Sequence, residues 1–160
     1  MHRTFSAGVL VAASLVLAAC DAQGEREAPG PAAGEGGHHH AAPRGGTLVE
    51  LEHEAVNLEF LLDPASGKLT AWVLDGCAEK PVRITQDVIP VQIVAGGVAF
   101  RMDLVAQESA LTGERKGDTS EFAGQHDRLR GAATFKGLVE NVAVAGRSFQ
   151  GVKFQYARSK

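Results

Sequence analysis

From Thr47 onward the chain consists of short apolar runs separated by turn residues, the pattern of strands rather than helices. Thr47–Leu51 reads as a first strand. In 55–62, Leu58, Phe60 and Leu62 alternate with Asn57, Glu59 and Leu61, which predicts one apolar and one mixed face. Asp63-Pro64-Ala65-Ser66-Gly67-Lys68 is a turn: Asp bonds the backbone ahead of it, Pro presets φ, and Gly accepts φ > 0. In 69–74, Trp72 and Leu74 oppose Leu69, Ala71 and Val73, and a strand apolar on both faces predicts a central place in a sheet.

Further along, 81–85 reads as a short strand, and 88–94 with Val98–Ala106 as a hairpin around Ala95-Gly96-Gly97. The polar, glycine-containing stretch 107–120 reads as a mobile loop, followed by a brief strand over 120–123. Asp127–Leu129 predicts a single helical turn ended by Gly131, and 133–135 another short strand. The last hairpin pairs 138–145 with 148–156 around Ala145-Gly146-Arg147. About seven to nine short strands without a long amphipathic helix predict an all-β domain, a β-sandwich of immunoglobulin-like or similar type rather than an open barrel.

The first 46 residues are different. Arg3 precedes an uninterrupted run of small and apolar residues from Ala7 to Ala19, too short for a permanent membrane helix. It ends in Leu17-Ala18-Ala19-Cys20, which resembles the lipobox of bacterial lipoproteins. That resemblance implies a signal peptide over 1–19, cleavage before Cys20, acylation of its thiol, and anchoring at a periplasm-facing membrane surface, inner or outer. One acyl chain binds a bilayer marginally and two or more bind it durably. Residues 20–46 are rich in Gly, Ala, Pro and Glu without apolar periodicity, and read as a flexible, His-containing linker to a domain over 47–160.

Composition narrows the function classes. The net charge is −3, and Arg3 is the only charged side chain before Cys20. Acids and bases are mixed along the domain, with no basic patch interleaved with aromatics, so no nucleic-acid partner is expected. With Cys20 acylated, Cys77 has no disulfide partner; it reads as a small buried hydrophobe, with a metal thiolate or an intermolecular disulfide as alternatives. Ser66, Ser109, Ser120 and Ser148 lie in turns with neither a nearby His nor a nucleophile elbow, and the reading is that the chain is not an enzyme.

His38-His39-His40 is the one cluster of metal-ligand type, since neutral imidazoles suit Cu, Zn, Ni and Co. Adjacent histidines on a flexible strand do not preform a site, so the tract suits capture and hand-off, or is only a solvated spacer. His53, beside Glu52 and Glu54, and His126, beside Asp127, join Cys77 as further candidate ligands if the fold brings them together; alone, each is an ordinary surface or cap residue.

The stretches Pro43-Arg44-Gly45-Gly46, Asn57-Leu58-Glu59-Phe60, Gly67-Lys68-Leu69-Thr70-Ala71, Phe122-Ala123-Gly124-Gln125 and Gly151-Val152-Lys153-Phe154 form a pattern. It resembles a largely uncharacterised group of small secreted or lipid-anchored bacterial β-proteins with a His-rich linker. Members of that group often accompany heavy-metal efflux systems, which implies an accessory role in metal binding, efflux or tolerance, with an efflux or envelope protein as partner. Cys77 departs from the His expected near that position. The rival expectation is an envelope interaction or structural lipoprotein with no metal role.

Overall fold

Eight strands form in chain order: β1 (Thr47–Leu51), β2 (Val56–Asp63), β3 (Lys68–Asp75), β4 (Val88–Ala95), β5 (Val98–Ala106), β6 (Glu121–Gln125), β7 (Thr134–Val144) and β8 (Arg147–Ala157). The computed structural model describes residues 40–52 and 55–158, all within one unit of the chain, 38–160. A short helical turn, Asp127–Leu129, lies between β6 and β7, as the sequence predicts.

All eight strands belong to one antiparallel sheet in the order β1-β2-β3-β6-β5-β4-β7-β8. This corrects the two-sheet sandwich: the domain is all-β, but its sheet curls until its two outer strands meet in a nearly closed, barrel-like form. Three successive strands, β4, β5 and β6, with β7 returning beside β4, make a Greek key. β3 lies between β2 and β6, the central place predicted from its two apolar faces.

The sheet curls because one side of every strand is apolar. Leu58 and Phe60 on β2, Leu69, Ala71 and Val73 on β3, Ile89, Val91 and Ile93 on β4, Leu104 on β5 and Phe122 on β6 are fully buried in a common core.

The closing seam has side chains where a ladder would be. The Thr47 hydroxyl donates to the Ala157 carbonyl (2.8 Å) and accepts from the Ala157 N–H (3.0 Å). β1 begins opposite Phe60, so the Leu62 N–H lies beyond it; the buried Tyr156 hydroxyl accepts from that N–H at 3.1 Å. Behind these bonds, Phe154 stacks on Phe60 with ring centroids 4.3 Å apart, and Tyr156 stacks on Phe135 at 4.8 Å. At the other end of the seam Arg147 pairs with Glu52 at 3.3 Å.

Two further differences from the sequence reading concern continuity. The strands expected over 133–135 and 138–145 are one strand, β7, running through Lys136-Gly137. The Phe154 ring occupies the place of a Gly137 side chain, and a methyl group there would overlap it. Gly137→Ala is therefore expected to displace Phe154 and to destabilise the fold by about 1–3 kcal/mol, measured by denaturant unfolding. Of 81–85, only Pro81 and Ile84 make isolated bridges, to Leu74 and Thr119.

Candidate functional site

The most closely built feature outside the core is where the chain enters the domain. Glu59 has an outward position on β2, yet it is fully buried, because residues 42–46 fold back over it. Its carboxylate accepts from the Arg44 N–H (2.7 Å), the Gly46 N–H (3.2 Å) and the Arg44 guanidinium (3.2 Å). Arg44 also lies 4.5 Å above the Trp72 ring, a cation–π contact, and Trp72 Nε1 donates to Glu121 at 3.1 Å. Gly45 takes φ +73°, and Gly46 lies so close to the Phe60 carbonyl that no side chain fits. Pro43-Arg44-Gly45-Gly46 is thus a strap latched onto the outer face of β2 and β3.

The strap carries His40. His40 lines two adjoining depressions at the β1–β8 seam, of about 450 and 550 Å³, and shares one of them with Glu50. Asp75, at the end of β3, has its carboxyl held below the ordinary carboxylate range. The Lys80 and Glu79 backbone N–H groups do most of this, with smaller help from the charges of Lys80 and His40.

Cys77 is exposed, not the buried small hydrophobe the sequence suggests. The turn that holds it is fixed from below: Asn57 Nδ2 donates to the carbonyls of Asp75 (2.9 Å) and Gly76 (3.0 Å). Asn57 Oδ1 is buried without a hydrogen-bond partner among the described residues.

His126 is elsewhere. Its backbone N–H donates to the Gly67 carbonyl at the β2–β3 turn, and β3 separates that turn from Cys77 by roughly 25 Å at about 3.3 Å per residue. Its Nδ1 accepts from the Arg128 N–H (3.1 Å), and its ring stacks on Phe100 at 4.1 Å. His126 is a cap, and the fold does not bring it to Cys77. Cys20, His38, His39 and His53 lie outside the described residues. Among the described residues no three of His, Cys, Asp and Glu form a group able to hold a metal ion.

The stretch 107–120, expected to be a mobile loop, is cross-braced instead. Ser109 pairs with Glu114 and Arg115 with Asp118. The Glu114 carboxylate accepts from Thr112 Oγ1 and from the N–H and hydroxyl of Ser120. Arg83 donates to the Thr112 carbonyl and pairs with Asp118. Leu111, at the tip, is 99% exposed.

Burial opposes ionisation of Glu114, but the bonds from Ser120 and Thr112 outweigh it and hold its pKa below the usual 4.5. A group whose pKa is lowered on folding stabilises above its unfolded value, and that contribution is lost as pH falls through the folded value. Amide exchange at Ser120 is expected to quicken as pH drops below about 4.5 relative to the intrinsic rate. In Glu114→Gln that pH dependence should vanish.

Arg44, Glu59, Trp72 and Glu121 were not singled out by sequence reasoning as a unit. The signal was present: Pro43-Arg44-Gly45-Gly46 and Asn57-Leu58-Glu59-Phe60, two stretches of the resemblance, bond to one another here. Comparisons with protein-family models, with curated proteins and with solved structures return no match.

Proposed function

We propose that this is a lipid-anchored, periplasm-facing protein that binds a transition metal through His38, His39 and His40 and serves metal efflux or tolerance as an accessory. The anchor is the acylated Cys20, the ion is Cu, Zn, Ni or Co, and the partner is an efflux or envelope protein. On this reading the chain captures and passes on an ion and catalyses no reaction. The observation that supports it is the position of His40. A tract on a free tether orders itself at full entropic cost, whereas here its last member is carried by a strap latched to the domain and shares a depression with Glu50. Glu50 supplies a carboxylate of the kind that completes imidazole sites. Cys77, two residues beyond Asp75, offers an exposed thiol as a soft ligand.

The test is a competitive titration of residues 20–160, unacylated, with Cu(I), Cu(II), Zn(II), Ni(II) and Co(II). The wild type is compared with a variant in which His38, His39 and His40 are all Ala. Tight binding lost in the variant supports the reading and names the ion. Binding that survives moves the site into the domain, and none at all overturns the metal role.

A second reading, docking to an envelope protein with the histidines as spacer, is favoured by Leu111. A large apolar side chain fully exposed at the tip of a braced loop suits insertion into a partner's pocket.

A further inference from the structure

The outer face of β4, β7 and β8 carries a depression of about 500 Å³ whose lining is chemically one-sided. Strand register sets two rows across it: Gln92, Leu138 and Lys153 in one, Val94, Lys136 and Gln155 in the next. Val94 is 43% exposed, and with Leu138 it makes the floor apolar. Lys136 and Lys153 are the only charged groups in the lining, and among the described residues neither has an ion-pair partner. The nearest acid in chain order on the same face of β7, Glu140, is already answered by Arg101 and Gln92. The two lysines are diagonal neighbours on adjacent strands, roughly 7–8 Å apart at the backbone, so both ammonium groups reach one head group.

We infer that this depression binds one single-chain amphiphile with an anionic carboxylate or phosphate head. Lys136 and Lys153 hold the head, Gln155 donates amide hydrogens at the rim, and the chain lies over Val94 and Leu138. The volume is that of a small-molecule site. The track also continues. The neighbouring seam depression shares Lys153, Phe154 and Gln155 and adds the half-buried Leu48, which lengthens the path. Glu50, at the far side of that second depression, disfavours an anionic head there.

The test uses residues 20–160, produced without acylation, and titrates monomeric dodecanoate and dodecyl phosphate below their micelle thresholds. Neutral dodecyl maltoside and phosphatidylglycerol vesicles are run in parallel. The expected result is saturable binding of both anions at one site, weakened about tenfold or more in Lys136→Gln/Lys153→Gln and by raised salt. Both lysines are exposed, so the variant keeps its fold, checked by its unfolding midpoint. Equal affinity in the double variant, or maltoside binding as well as dodecanoate, overturns the inference. So does binding to vesicles without binding to either monomer, which would make the face a membrane contact.

Discussion

Phe60→Ala is expected to cost about 3–5 kcal/mol, a large share of the roughly 5–15 kcal/mol that a domain of this size commands. Phe60 is fully buried, and its ring is the inner partner of Phe154 across the seam. Between β1 and β8 the closure rests on the Thr47–Ala157 bonds, the Tyr156 hydroxyl and the aromatic group Phe60, Phe135, Phe154 and Tyr156. Removing Phe60 empties the buried end of that group and leaves Phe154 without its stacked partner. Urea unfolding should show a lower midpoint with an unchanged slope, and the melting temperature should fall by roughly 15 °C. A loss under about 1 kcal/mol would mean that the seam is held by something other than this cluster.

Arg44→Ala is the second large effect, expected at about 2–3 kcal/mol. It leaves the Glu59 carboxylate buried with only the backbone N–H groups of residues 44 and 46 to answer its charge. The figure falls below that for a wholly buried pair because Arg44 keeps 35% of its side-chain surface in water. Arg44→Lys should recover only part of it, since an ammonium cannot both lie flat on Trp72 and bond the carboxylate as guanidinium does. Amide exchange at Arg44 and Gly46 should rise sharply in Arg44→Ala, while amides of β3 and β4 stay protected. Uniform loss of protection instead would show that the strap and the core unfold as one unit.

What was legible in the sequence follows the range of the interactions involved. Alternation fixes which side of a strand is buried, and Leu58, Phe60 and Leu62 face the core as their spacing requires. The Asp63–Lys68 turn and the Asp127–Leu129 helical turn depend on neighbours a few residues away, and both form where expected. Closure was not legible, because a seam made by Thr47 with Ala157 and by Leu62 with Tyr156 joins residues about a hundred positions apart. The same holds for Glu59. By alternation it is a solvated outward residue, and only the return of Arg44 and Gly46 over it makes it buried. Two strands were expected over 133–135 and 138–145; Phe154, from the partner strand, fills the place of the missing Gly137 side chain and one strand runs on. The stretch 107–120 looked loose from composition, but Glu114 and Arg83 brace it through bonds that composition does not register.

For the candidate site, His126 as a cap was legible from its place before a helical turn. The docking of His40 was not, since it depends on the Arg44–Glu59 latch. That latch is the physical reason to expect the histidine tract to bind more tightly on this domain than as a free segment.

The most direct test compares metal affinity of unacylated residues 20–160 with that of a synthetic peptide covering residues 36–42, by competitive titration with Zn(II) and Ni(II). Under the proposed role, the position of His40 on the strap predicts that the protein binds at least about tenfold more tightly than the peptide, and that Arg44→Ala falls back toward the peptide's value. Equal affinities for protein and peptide would contradict the account.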